Sequence, residues 1–165
     1  MSNLKTIAIF PGSFDPPHLG HLDVLMQATK TFDHVIWAIL TNTSKTPLFS
    51  PTVRMEMMMT AVAGFPNIEI RMFPDVLLVD AAKELRATHI VRSLRVGMDF
   101  DHEFPMTLIN RKLDPELITV YFPAQQEHFH ISSSIVRELL KFKRSVSDLV
   151  PKYILPIIKH SGHQF

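Results

Sequence analysis

The 165-residue sequence has no cysteine, which removes disulfides, thiolate zinc sites and cysteine nucleophiles from consideration. Glycine is scarce at 5 residues, and neither Gly-x-Gly-x-x-Gly nor Gly-Lys-Ser/Thr occurs, so the usual dinucleotide and P-loop phosphate cradles are absent. The net charge is +1 with no long basic or acidic run, which gives no support to bulk nucleic-acid binding. No apolar run approaches 18 residues, so nothing reads as a membrane span. The apolar part of "MSNLKTIAIFPG" is too short for a signal-peptide core and has no small-residue cleavage site, and a cytoplasmic protein is the expectation. With 46% hydrophobic and 20% charged residues, the composition is that of a folded chain rather than a disordered one. One domain over residues 1–165 fits that length.

The apolar pattern alternates between two periods. Short apolar runs at 5–10, 34–40, 67–73, 88–94 and 117–123 read as buried strands. Between them, helical spacing is expected at 19–31, from Pro51 to Gly64, at 77–87 and at 99–113, where Pro105 puts the first turns in doubt. A serine-capped helix is expected at 132–142, and 148–160 reads as a turn and short helix interrupted by Pro156. Strands apolar throughout and alternating with helices imply an α/β fold, a Rossmann-like, doubly wound five-stranded parallel sheet with helices on both faces.

In such sheets ligands sit beyond the carboxyl ends of the strands. The first loop there, "FPGSFDPPHLGHLDVLMQATK" at 10–30, holds two of the 5 glycines. Gly12 is expected to let the chain turn sharply and approach a ligand. Gly20, at or just before a helix start, suits a phosphate through free N–H groups and the helix dipole. His18 and His21, three apart, are expected on one side of that first turn. A second candidate anion site is "ISSSIVREL" at 131–139, where three hydroxyls meet a helix start; alone it is also an ordinary N-cap. The Met-rich stretch 55–59 reads as a core or subunit-contact face, His34, His89 and His160 as structural or surface residues, and Asp15 as a turn residue.

"GSFDPPHLGH" resembles the signature of the nucleotidyltransferases that carry a His-x-Gly-His motif, and "ISSSIVREL" resembles their triphosphate element. With "TNTSKTPLF" (41–49), "LLVDAAKE" (77–84) and "IVRSLRVGMDFDHEFPMTLINRKL" (90–113) between them, the succession is similar to the bacterial phosphopantetheine adenylyltransferases over residues 5–155. The resemblance implies transfer of AMP from ATP to 4′-phosphopantetheine, with Mg2+ accompanying the triphosphate, in a homohexamer. It implies His21, Lys45 and Arg95 as catalytic residues. Ser13, Phe14, His18, His21, Ser93, Leu94, Arg95 and Glu103, with residues His128, Phe129, His130, Ile131, Ser132, Ser133 and Ser134, are implied to bind ATP. Ser13, Lys45, Leu78 and Arg92 are implied to bind the acceptor, and no residue is implied as a metal ligand. Two positions depart from that family: Ser93 stands where glycine is usual, and His18 where threonine is common. His18 is commoner in relatives such as the nicotinate mononucleotide adenylyltransferases, which keeps that activity open, and a non-catalytic ATP-binding regulator is the rival from another class. The chemistry implied is alignment plus positive charge around a transferred phosphate, with no protein nucleophile or strong base.

Overall fold

The computed structural model describes residues 5–41, 46–95 and 97–163, without the side chains of residues 97–99 and 102. The strands are β1 (Ile7–Gly12), β2 (His34–Thr41), β3 (Ile68–Pro74), β4 (His89–Leu94) and β5 (Ile118–Pro123). The helices are α1 (Leu19–Thr31), α2 (Pro51–Ala61), α3 (Leu78–Glu84), α4 (Gly97–Leu113), α5 (Ser133–Lys141) and α6 (Leu155–His160). The five strands form one parallel sheet in the order β3-β2-β1-β4-β5, the expected Rossmann-like α/β arrangement.

Successive strand residues face opposite sides of the sheet, and each side has its own helices. Ala8, Phe10, Val35, Trp37 and Val91 pack with Val24, Leu25 and Ala28 of α1 and Met58 of α2. Ile9, Ile36, Ala38 and Ile90 pack on the other face with Val79, Ala81 and Ala82 of α3. A third cluster joins Phe49 and Met57 to Val136 and Leu140 of α5 and to Val146, Val150, Ile154 and Ile158 near the C-terminus. The Met-rich helix is therefore core on two sides, Met57 and Met58 being fully buried, while Met59 is exposed.

Several boundaries differ from the sequence reading for physical reasons. Strand β1 does not stop at Phe10; it runs through Pro11 to Gly12 opposite β2. Pro11 lies beyond the last β1–β4 pair, where β1 is an edge on that side and a strand proline is tolerated. Helix α4 starts at Gly97 and continues through Pro105. Pro156 does not interrupt the last helix but opens it, where its missing N–H has no intrahelical partner to lose. Helix α2 ends at Ala61, and Gly64, at φ +100°, lies past that end in the turn toward β3.

The feature that positions the site is a gap. The chain lays down β1, β2 and β3 outward, then crosses back to place β4 on the other side of β1. Strands β1 and β2 pair over six positions, but β1 and β4 pair only as Ala8–His89 and Ile9–Ile90. Their last residues splay apart at the switch point, where open α/β sheets bind ligands.

Candidate active site

Two clefts open from this gap. The narrower, about 280 Å³, is lined by Phe14, His18, Gly20 and His21 from the first loop, Ser93 and Arg95 after β4, and Ser132 and Ser133 at the start of α5. The wider, about 1330 Å³, is lined by Ser13, Met72, Leu77, Leu78, Met106, Ile109, Asn110 and Leu113, among others. They share Pro11, Gly12, Arg92, Glu103 and Ser133, so the junction holds one guanidinium, one carboxylate and one hydroxyl.

His18 and His21 meet as expected, with ring centroids 3.5 Å apart and planes 21° from parallel. The reason is a reciprocal cap on α1. His18 is the N-cap, its Nδ1 accepting from the His21 N–H at 3.3 Å, and the His18 N–H donates to His21 Nδ1 at 3.2 Å. Because both Nδ1 atoms accept, both rings are neutral and carry their proton on Nε2. Burial, then the charges of Arg95 and His128, push the His18 pKa down to about 3. Burial, then His18 and Arg95, hold His21 well below its ordinary value. The histidines are therefore neutral donors, not cations. This also accounts for His18 where threonine is common: a threonine at N-cap accepts the same N–H.

The glycines make room for rings rather than only for a ligand. A Cβ on Gly12 would lie 2.8 Å from Phe14 Cζ, and one on Gly20 would lie 3.2 Å from the His18 ring. The sharp turn belongs to Phe14, at φ 46°, an outlier for a bulky residue. The Phe14 ring is buried against Phe10, His21 and Trp37, with centroids 5.4, 4.8 and 5.2 Å away. It is core, and only its backbone is free to meet a nucleotide.

The serine run sits where α5 begins. Ser132 is the N-cap and accepts from the Ile135 N–H at 3.2 Å. Ser133 Oγ donates to the Pro16 carbonyl at 2.9 Å, and Ser134 Oγ accepts from Arg137 Nη2 at 3.1 Å. The hydroxyls are thus engaged in the scaffold, leaving the first-turn N–H groups as anion donors. Arg95 Nη1 donates to the Ile131 carbonyl at 3.1 Å, which ties the β4 end to this turn. Ile131 itself is buried. Leu94, His128, Phe129, His130 and Ile131 do not line the narrow cleft, and Ser134 lines the wide one. His128 sits 3.7 Å from Asp23, which also accepts from the Gln125 N–H at 2.7 Å.

On the wide side, Ser13 and Leu78 line the wall and Arg92 stands at the junction, its Nε 3.3 Å from Glu103 Oε2. Glu103 thus faces an arginine before it faces any nucleotide. Ser93 has no positive φ and pairs with Phe122 in the β4–β5 ladder, so it replaces a glycine without strain. Lys45 lies outside the described residues. Among the described residues no group of three or more His, Asp or Glu is placed to hold a metal, and no helix is long and apolar enough to cross a membrane.

Sequence reasoning missed Arg54 and Arg137. Arg54, 3% exposed, donates to the Ser13 carbonyl at 2.6 Å, and Arg137 donates to the Asp15 carbonyl at 2.7 Å. Asp15, read as a turn residue, accepts from the N–H groups of Leu48 and Phe49 at 2.8 and 2.9 Å. A partial signal existed for Arg54: it is the one basic residue of α2, next to the Met-rich run. What it serves is a carbonyl 41 residues away, which no local pattern reveals.

A cytidylyltransferase-like family model matches residues 9–139. A phosphopantetheine adenylyltransferase of Lachnoclostridium phytofermentans is 41% identical over 158 residues, covering 94% of this chain and 96% of that protein. One from Symbiobacterium thermophilum is 44% identical, covering 88% and 90%, and one from Caldanaerobacter subterraneus is 39% identical, covering 90% and 92%. With near-complete coverage on both sides, the chain belongs to the phosphopantetheine adenylyltransferase family of cytidylyltransferase-like proteins.

Proposed function

We infer that the protein transfers AMP from ATP to 4′-phosphopantetheine, forming dephospho-coenzyme A and pyrophosphate. Full-length similarity to enzymes of that name carries the inference. Two clefts meeting at Arg92 and Gly12 support it, because the reaction joins a nucleotide to a second, longer substrate. An oxygen of the acceptor phosphate attacks the α-phosphorus, the bond to the β-phosphate oxygen breaks, and pyrophosphate leaves. A phosphate monoester, with second pKa about 6, is largely a dianion at neutral pH, so no strong base is needed. The protein's task is alignment and stabilisation of developing charge.

In this reading the triphosphate lies in the narrow cleft, against the α5 N-terminus, Arg95 and the Nε2–H groups of His18 and His21. His21 Nε2–H donates to an oxygen whose charge grows in the transition state. Arg92 grips the acceptor phosphate at the junction through its planar fork, with Glu103 orienting it until the phosphate arrives. Lys45 is assigned to the reacting phosphates by resemblance. The pantetheine arm follows the apolar wall from Leu78 toward Met106, Ile109 and Leu113. Mg2+ enters as part of the ATP complex; nitrogen and hydroxyl donors around the narrow cleft suit phosphate oxygens and not a protein-made magnesium cage.

Pyrophosphate release on mixing the protein with ATP, Mg2+ and 4′-phosphopantetheine tests the reading. The kcat/KM should exceed that for nicotinate mononucleotide by about 10³ or more, because that acceptor leaves polar groups of the site unpaired; comparable rates would overturn it. We also propose a homohexamer working in the cytoplasm. Exposed apolar residues on α4 (Phe104, Met106, Leu108, Ile109, Leu113) and nearby Leu77 support subunit contacts. Light scattering that gives the chain mass of 18.9 kDa would refute the hexamer.

A further inference from the structure

The loop between β1 and α1 is held from outside. Ser13, Asp15 and Pro16 have their carbonyls taken by Arg54 of α2, Arg137 of α5 and Ser133 of α5, at 2.6, 2.7 and 2.9 Å. Between the first two of these carbonyls lies Phe14, whose positive φ is unfavourable for a bulky residue and persists only where the surroundings over-determine it. The Phe14 N–H makes no hydrogen bond among the described residues.

Arg54 is an expensive way to hold a carbonyl. It is 3% exposed and its Nε has no partner among the described residues. Burial lowers its pKa and the charge of Asp15 opposes that shift; an arginine stays protonated at neutral pH all the same. Among the described residues Asp15 is the carboxylate that acts on both arginines, 3.8 Å from Arg137, and it also serves two backbone N–H groups. The loop is thus backed by two guanidiniums and one carboxylate, an excess of positive charge beside the wide cleft that both arginines line. A neutral donor would satisfy the Ser13 carbonyl at lower desolvation cost.

The geometry supplies a use. In a trans peptide the C=O and the following N–H point in opposite directions. Drawing the Ser13 carbonyl toward α2 sends the Phe14 N–H away from α2, and Phe14 lines the narrow cleft. We propose that Arg54 is a positioning residue for the adenylyl transfer, fixing the Ser13–Phe14 peptide so that the Phe14 N–H is a preset donor to the nucleotide's phosphate beside His21. This deepens the reading of the site given above and rests on it. The donor costs no reorganisation when charge develops, and the buried charge of Arg54 adds a favourable potential that solvent screens little.

Two variants and two readouts test it. Arg54→Met keeps length and apolar volume but removes charge and donors; Arg54→Lys keeps charge and one donor. Expressed per folded enzyme, with folding checked by thermal unfolding, kcat of Arg54→Met should fall by about 10²-fold, the usual loss for one preset donor. KM for ATP should stay within about 3-fold, and Arg54→Lys should regain about ten-fold. In protein carrying 15N-phenylalanine, added Mg-pyrophosphate should shift the Phe14 amide resonance in the wild type and in Arg54→Lys but not in Arg54→Met. Unchanged kcat per folded Arg54→Met enzyme, or an unchanged Phe14 response in it, overturns the proposal. If Arg54→Met does not fold, wild-type kcat without the Phe14 shift in Arg54→Lys overturns it. A wild type inert toward phosphopantetheine whose Phe14 amide still answers pyrophosphate overturns the reading of function and leaves the clamp standing.

Discussion

The narrow cleft and the wide cleft are built on opposite principles. The narrow one is made of rings and donors that lock one another: His18 and His21 cap each other, Gly20 is small because the His18 ring needs the space, and Phe14 is wedged between Gly12 and Trp37. The wide one has a long apolar wall of Leu, Met and Ile side chains, with polar and charged groups such as Ser13, Arg92, Asn110 and Arg137 also lining it. In the proposed reading, one side fixes where a phosphate goes and the other accepts a long, flexible molecule. Rigid polar geometry governs rate, and apolar area governs binding, so changes on the two sides should separate in kcat and KM.

The largest contrast is expected from His21→Ala, which should lower kcat by about 10²–10³-fold with a much smaller change in ATP affinity. His18→Ala should cost less in kcat. Steady-state kinetics of both variants decides the point: raised KM with unchanged kcat would mean that the pair only binds ground-state ATP. Next comes Arg92→Met, which should reduce kcat/KM for the acceptor by about 10–100-fold through loss of a charged hydrogen bond. Glu103→Gln, which keeps a hydrogen-bonding partner for Arg92, should change it far less.

A pH titration sharpens the contrast through the neutral histidines. His18 is lowered from 6.5 to about 3 in the folded state, and His21 is lowered as well. Between about pH 3 and 6.5 the unfolded chain binds more protons at these positions than the folded chain. Stability therefore rises with pH across that window and falls as pH drops, by at most about 1.4 kcal/mol per pH unit per group. Chemical denaturation at pH 4, 5 and 6.5 should show this slope in the wild type and a shallower one when both histidines are replaced by glutamine. The kcat profile between pH 6 and 8 should contain no ionisation that His21→Ala removes.

The smallest effect tests the packing itself. Gly12→Ala puts a methyl 2.8 Å from Phe14 Cζ and should destabilise by about 1–3 kcal/mol. Gly20→Ala, meeting the His18 ring at 3.2 Å, should cost less. Phe14→Leu should recover part of the Gly12→Ala loss in a double-mutant cycle; strict additivity would show that the glycine is not there for the ring.

Local chemistry determined much of this protein. The order of strands and helices, the two helix starts that line the narrow cleft and the His18–His21 pairing all follow from apolar period, caps and three-residue spacing, which act over one or two turns. Most candidate residues sit in two short runs, Ser13 to His21 and His128 to Ser134, that resemble a known family, and the rest lie in the similar stretches between them. Tertiary structure alone decided three other things. The strand order left β1 and β4 unpaired after Ile9 and Ile90, which opened the cleft. The packing of Phe14 against Trp37 assigned Gly12 to a ring and made the Phe14 side chain core. Arg54 and Arg137, 41 and 122 residues from the carbonyls they hold, were brought under the loop by α2 and α5. The division has one physical cause: propensity and capping are written within a few neighbouring residues, whereas the partner of a buried polar group is set by which distant helix the sheet order places beside it.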